Sequence, residues 1–457
     1  MNHITFLNHS SLLVSSKKTK ILCDPWFFGS AFQDGWSLLH DQSHDINDLE
    51  FEYVWISHEH PDHFSIPTIS ALKRKTKFLY QKTEDKKVKN FLETKGHEVI
   101  EIEHGKKTLI GDIELVLFVC DGYDSSVLFK FDDGRSFLNI NDARVDLDRH
   151  LENEIMPHLV NTKLDMVSFQ FSYANWAGNQ GDQQISRHQQ QIVDQKNIYV
   201  LETLKPKECI LMASFIYFSH EENFYWNDNF YLNHALMILE NLNLDTKVTI
   251  PKVNQKFDLN SRQDELGHQN NNKNAINFWS ELHKSAEINF RTESIYDLEK
   301  LEEAYFDFYQ RVSSKNIIIN TLKDIFDENN LSLNIYLSDI DKMIRISLLS
   351  KKFLAFEDSL SGEFDISVSS ETFNFLMKNN FARGTIGINS RIIFNYDNAY
   401  KFFLFFFIPY SNNIGRFYND NNLFIKDIKS IEKTAIMMSI LKFNDKSRIN
   451  LDKAISA

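Results

Sequence analysis

The chain has 457 residues, 42% of them hydrophobic, with only 14 Gly and 7 Pro; this suits one large or two ordinary cores and excludes disordered, collagenous and low-complexity classes. Fifty Lys and Arg against 63 Asp and Glu leave a formal charge of -13, which argues against a nucleic-acid backbone or an anionic membrane as a bulk partner. All 16 His lie between His3 and His283, so metal and acid–base chemistry is expected in the first part of the chain.

Short strands are predicted at 3–7, 11–15, 20–23 and 52–57, separated by polar or Gly-containing turns. A helix over 66–74 follows, with Ser65 as N-cap and Pro67 in its first turn, then a strand at 77–80 and a helix at 84–94. The basic run from Lys73 to Lys89 reads as a solvated helix surface. Strands at 107–110, 113–118, 126–131 and 135–140 come next, and helices near 147–159 and 183–204 flank a strand at 166–171. Strand pairs interleaved with helices predict two sheets packed face to face with helices outside, a four-layer α/β arrangement.

Residues 254–274 (NQKFDLNSRQDELGHQNNNKN) are polar and Asn-rich and read as a linker or long surface loop. This divides the chain into 1–253, expected to hold the chemistry, and 275–457, expected to be a smaller α+β domain. In the latter, 295–327 reads as acidic helix, 331–336, 343–349 and 364–368 as strands, 371–378 as a short helix, and 385–394 and 402–408 as further strands. The run 400–410 (YKFFLFFFIPY) has about half of the roughly 20 residues a membrane span needs and reads as a buried strand. Cys23, Cys120 and Cys209 are odd in number and far apart, and no secretory leader is read at the start. A reducing, cytoplasmic setting without a membrane span is expected.

Residues 54–64 read VWISHEHPDHF, three His and one Asp in six positions after an apolar strand. Side chains two apart on extended chain point the same way, so His58 and His60 can share one ion, while the turn at Pro61 lets Asp62 and His63 face a second. Pro61 opposes the continuous helix that a His-Glu-x-x-His motif requires.

His58, His60, Asp62 and His63 complete a His-x-His-x-Asp-His signature, and here the chain resembles the metallo-β-lactamase superfamily, which implies a four-layer αββα fold. Residues 4–32 (ITFLNHSSLLVSSKKTKILCDPWFFGSAF) look like the branch that contains ascorbate-6-phosphate lactonase, and His9 and Asp24 match the His and Asp which that branch places beside the metal site. Where the superfamily has its next His ligand, this chain has Cys120-Asp121-Gly122-Tyr123-Asp124-Ser125, so Asp121 or Asp124 would substitute an oxygen. Asp142 matches the metal-bridging aspartate. His220, in an aromatic stretch that also holds Asn223, is the candidate for the last ligand. Residues 125–142 and 170–176 are similar to the CMP-N-acetylneuraminate hydroxylase family. Ala143 stands where that family has Cys, and the chain lacks the paired Cys and His motifs that would ligate a Rieske cluster. Residues 367–391 bear a weaker similarity to sterol-carrier-type domains. His97, His104, His150, His158, His188, His234, His268 and His283 read as structural.

The resemblance implies two divalent metal ions, zinc or else iron or manganese, which supply hydroxide and polarise an ester, lactone or phosphodiester of a small metabolite. His58 and His60 would hold one ion with Asp124 or Asp121, and Asp62, His63 and His220 the other. Asp142 would bridge them. Asp62, His9 and Asp24 are the expected catalytic set, with His9 and Asp24 orienting substrate or carrying protons. Trp26, Tyr173, Asn175, Trp176 and Asn223 would line the pocket. Two alternatives remain at this level: a di-iron oxygenase acting on a small metabolite or nucleotide sugar, which needs an external electron donor, and a non-catalytic, metal-stabilised scaffold. The C-terminal domain could make a homo-oligomer.

Overall fold

Runs such as Tyr53–Trp55 and Met166–Gln170 are buried at nearly every position, the pattern of strands covered on both faces. The computed structural model describes residues 2–40, 45–120, 124–160, 163–173, 175–228, 231–242, 244–259, 265–356, 364–431 and 434–443. It divides into two units, the first holding Met1–Tyr173, Gln190–Phe218 and Asn227–Glu287, the second Ala174–Gln189, Ser219–Trp226 and Ile288–Ala457.

The first unit has two seven-stranded sheets. One runs, edge to edge, Gln255–Asp258, His3–Asn8, Ser11–Ser15, Lys20–Cys23, Tyr53–Trp55, Lys77–Gln81, Glu98–Ile102. The other runs Lys247–Thr249, Glu208–Met212, Met166–Gln170, Ser136–Asn141, Asp124–Phe131, Ile113–Cys120, Lys107–Ile110. Alternation splits the first sheet's side chains: Leu22, Val54, Ile56 and Phe78 join Val88 and Leu92 of the helix Lys87–Thr94 in one cluster. Trp55, on the opposite face, meets Phe129 of the second sheet edge-on at 6.5 Å. The helix Leu232–Glu240 buries Leu232, Ala235, Leu236 and Leu239. Sheets flanked by helices make the expected four-layer αββα arrangement.

Strand direction positions the site. His3–Asn8, Lys20–Cys23 and Tyr53–Trp55 run the same way, as do Ser136–Asn141, Met166–Gln170 and Glu208–Met212. Their carboxyl ends are tied together: Ala213 N donates to His9 O at 2.7 Å, and Asn141 Nδ2 to Asp24 Oδ2 at 2.6 Å. Ser125 Oγ, at the start of the antiparallel neighbour, donates to Ser57 O at 2.6 Å.

Several expectations are corrected. The stretch 254–274 is no linker, because Gln255–Asp258 pairs with His3–Asn8 and Glu265–Lys284 is a helix. The first unit accordingly reaches Glu287, and the second also takes Ala174–Gln189 and Ser219–Trp226. The helix expected at 147–159 is broken into the short turns Leu147–Arg149, Leu151–Ile155 and Met156–Leu159, with Asp148 at φ 50°.

The second unit has a five-stranded sheet in the order Lys352–Phe356, Lys342–Ser347, Ser332–Leu337, Ile366–Val368, Ile393–Phe394, with helices Leu298–Ser313 and Ser370–Lys378. Strands expected at 385–394 and 402–408 are instead mostly helical: Ala382–Asn389 is a helix, and Ala399–Phe405 and Phe407–Asn413 cover the Phe-rich run. Phe402, Phe403, Phe405 and Phe406 are all buried. A run that is apolar on every side shows neither period, and sequence pattern does not distinguish strand from helix there. Pro409 is accommodated in the first turn of its helix, where its missing N–H is not needed. Among the described residues no helix is long and apolar enough to cross a membrane.

Candidate metal centre

Three residues that end strands, His9, Asp24 and Asn141, take positive φ of 27°, 41° and 53°. This region is costly for side-chain-bearing residues and is best tolerated by Asp and Asn. Asp24 is fully buried, and its carboxylate organises the centre. Oδ1 accepts from Ser57 N at 2.7 Å. Oδ2 accepts from Ser57 Oγ at 2.7 Å, Asn141 Nδ2 at 2.6 Å and His63 Nδ1 at 2.9 Å. Ser57 Oγ lies 3.0 Å from His58 Nδ1. Because the Ser57 hydroxyl hydrogen goes to Asp24, the network assigns the Nδ1 hydrogens of both His58 and His63 and leaves their Nε2 lone pairs open.

Those two Nε2 atoms converge on one carboxylate oxygen. Asp142 Oδ2 is 3.6 Å from His58 Nε2 and 3.6 Å from His63 Nε2. Around it lie two groups of three donors, each with atoms within 4.8 Å of one another: His9, Asp62 and His63, and His58, His60 and Asp142. In the first, Asp62 Oδ2 is 3.2 Å from His9 Nε2 and 3.3 Å from His63 Nε2. In the second, His60 Nδ1 is 2.8 Å from His58 Nε2; Asp124, outside both groups, has Oδ1 3.9 Å from that same atom.

The donor set suits a pair of cations. Asp62 Oδ1, Asp142 Oδ1 and His9 Nδ1 are buried without a hydrogen bond among the described residues, an expensive state that a metal ion would relieve. Burial holds the His58, His60 and His9 imidazoles below their ordinary values, favouring the neutral form a metal ligand takes. Burial also opposes charge on Asp62, but the neighbouring His63 and His9 outweigh it and keep that carboxyl well below the usual range. At His63 burial is again outweighed, here by Asp62, Asp142 and Asp24, which hold the imidazole well above its ordinary value, so that a cation bound at Nε2 would have to displace a proton there. Asp142 is lowered against burial by His58 and His63.

Other expected site residues are placed differently. Asp121 lies outside the described residues. Asp24 has no route to substrate, since it is fully buried and both oxygens are engaged; it acts through Ser57 and His63. Trp26 is likewise enclosed, donating Nε1 to Gly29 O at 3.0 Å and packing edge-on to His9 at 5.5 Å, so it supports the imidazole and does not line a pocket. Tyr173 is half-buried beside Tyr231 at 5.4 Å. Trp176, Asn175, His220 and Asn223 belong to the second unit. Trp176 is a core residue there, edge-on to Phe394 at 5.0 Å, and Asn175 is half-buried. His220 is buried and enters neither donor group. Its Nδ1 accepts from Glu222 N at 3.2 Å, which leaves the hydrogen on Nε2. Asn223 shapes the turn, with Oδ1 accepting from His220 N at 3.1 Å and Nδ2 donating to Asn389 O at 2.6 Å. Ser57 and Asn141 went unrecognised as parts of the site. Their signal was a polar residue at the exit of an otherwise apolar strand.

Residues 3–129 match the model of the Beta-lactamase superfamily domain, and the His-x-His-x-Asp-His segment lies within that match at the strand ends just described. The match covers the first sheet, apart from its edge strand Gln255–Asp258, and the start of the second, and the two flanked sheets of the amino-terminal unit agree with it. Over 74 residues the chain is 38% identical to the cytidine monophosphate-N-acetylneuraminic acid hydroxylase of Danio rerio, a match covering 16% of this chain and 12% of that protein. The inactive human counterpart is 37% identical over 71 residues, covering 15% and 14%. The chain thus matches only about an eighth of the length of these relatives. Among solved structures, CmlA, a diiron β-hydroxylase from Streptomyces venezuelae, is 14% identical with a TM-score of 0.41, covering 56% of this chain and 54% of that one. A metallo hydrolase from Ignicoccus hospitalis is 14% identical with a TM-score of 0.38, covering 56% and 98%.

Proposed function

We propose that the chain is a dinuclear-metal-dependent hydrolase acting on an ester, lactone or phosphodiester of a small metabolite. The observation that carries this reading is the position of Asp142 Oδ2, 3.6 Å from both His58 Nε2 and His63 Nε2, where one carboxylate can serve two ions. His58 and His60 would hold one ion, with Asp124 near them, and Asp62 and His63 the other, with His9 in the place expected for His220. A metal pair of this kind brings a bound water's pKa close to neutrality and polarises the substrate's reacting oxygen. The protein's own contribution is orientation: Asp24 and Ser57 fix the His58 and His63 rings, and the buried walls around Trp26 exclude water from His9. Metal-loaded protein is expected to turn over generic lactones, esters or phosphodiesters, with activity lost on chelation and in Asp142→Ala. Full activity in Asp142→Ala would refute the assignment.

A second reading, a di-iron oxygenase, is favoured by the oxygen-rich donor set of Asp62, Asp124 and Asp142, which suits iron or manganese better than a site of imidazoles alone. The short match to cytidine monophosphate-N-acetylneuraminic acid hydroxylases, over 71–74 residues, supports this second reading. Anaerobic purification with metal analysis separates the readings. Two irons per chain and an oxygen-dependent absorption change support the oxygenase; zinc or manganese with no oxygen response supports the hydrolase.

A further inference from the structure

Two arginines are buried among the described residues of the second unit, and their surroundings differ. Arg391 lies between the carboxylates of Glu222 and Glu371, the usual state of a buried charge. Arg383 is 9% exposed and forms no ion pair among the described residues. Besides burial, which lowers it, only Tyr410 acts on its charge.

Arg383 stands in the first turn of the helix Ala382–Asn389, where it meets Phe403 of the helix Ala399–Phe405 and Tyr410 of the helix Phe407–Asn413. Its guanidinium carbon is 3.8 Å from the centre of the Tyr410 ring and 5.8 Å from that of Phe403, the stacking that a planar, weakly hydrated cation favours. Nη1 donates to Phe403 O at a long 3.4 Å. A guanidinium carries five N–H donors in a fixed fork, and among the described residues no carboxylate or carbonyl accepts from Nε or Nη2. That edge is the one that meets a carboxylate or phosphate with two parallel hydrogen bonds.

The helix end adds to the imbalance. No acidic residue stands in the first turn of Ala382–Asn389 and no side chain caps it, although the partial positive charge at a helix's amino end disfavours a cation and favours an anion. We infer that Arg383, backed by Tyr410, anchors an oxyanion site in the second unit and takes a carboxylate or phosphate group of a small ligand through its Nε and Nη2 hydrogens. The Tyr410 ring sets the plane of the fork before the ligand arrives, so little ordering is required on binding. This concerns the second unit alone and does not depend on the reaction assigned to the metal centre.

The test is calorimetric titration of the full-length protein, as purified, with benzoate, inorganic phosphate and neutral benzamide, for wild type, Arg383→Met and Arg383→Lys, with melting temperatures measured alongside. Wild type is expected to bind at least one anion, with a saturable rise in melting temperature, and not benzamide; the anion bound more tightly identifies the group recognised. Arg383→Met is expected to weaken that anion by about tenfold or more, the scale of a lost charged hydrogen bond. Arg383→Lys keeps the charge and loses the fork, so a loss of about fivefold is expected with native circular dichroism retained. This second variant carries the test if Arg383→Met does not fold. An arginine with a structural role alone would lower the melting temperature when replaced and leave that of wild type indifferent to anions. No anion binding to wild type, or binding equal to wild type in either variant, would overturn the inference.

Discussion

His63 Nδ1 lies 2.9 Å from Asp24 Oδ2, with side-chain exposures of 1% and 0%. The same oxygen takes the Ser57 hydroxyl and the Asn141 amide, so one buried carboxylate sets the tautomer of a ligand and joins the ends of both sheets. In Asp24→Asn, the amide nitrogen must face either the Ser57 N–H in place of Oδ1 or the three donors in place of Oδ2, and either way at least one buried donor is left opposed. Metal affinity is expected to fall by about 10–100-fold, the usual effect of removing a ligand's orienting partner. Competition with a chromogenic chelator measures it.

His9 and His220 offer a direct contrast. His9 shares a donor group with Asp62 and His63, whereas His220 Nδ1 is taken by the Glu222 backbone. His9→Ala is expected to retain about one equivalent of metal after desalting, and His220→Ala both. The opposite pattern would restore His220 as the ligand.

Chelation tests the link between the centre and folding. Metal binds only the assembled donors, so free-energy linkage predicts about 2.7 kcal/mol of added stability at a metal concentration 100 times the dissociation constant. The melting transition should drop when the metal is removed and return on titration. A transition indifferent to metal would argue against occupied ligands.

In the second unit, Arg391 is buried between Glu222 Oε2 at 2.5 Å and Glu371 Oε2 at 3.1 Å. Removing one member of a buried ion cluster leaves charge uncompensated, typically at a cost of about 3–5 kcal/mol. Arg391→Ala should therefore unfold at clearly lower urea concentration than wild type. Arg391→Lys should recover only part of that loss, because an ammonium does not reproduce the two-sided guanidinium contact.

The metal motif was legible because its geometry is local. On extended chain His58 and His60 necessarily share a side, and Pro61 necessarily turns the chain before Asp62 and His63. Alternating apolar strands with helices between them likewise announced the four-layer fold of the first unit, since both faces of each sheet had to be covered. Asp142 was marked by its position just beyond the strand Ser136–Asn141.

What tertiary structure alone decided lies at long range or where pattern is silent. Gln255–Asp258 looked like linker because it is polar, yet an edge strand needs backbone partners more than apolar side chains, and His3–Asn8 supplies them. The Phe-rich run could be strand or helix until packing on all sides selected helix. His9 and Asp24 are far from the motif in sequence, and only the meeting of strand ends could show that His9 reaches the donor set while Asp24 is sealed behind it. Sequence by itself marked a His and Asp cluster able to hold metal; the convergence of chain ends from two sheets decided which side chains stand together there.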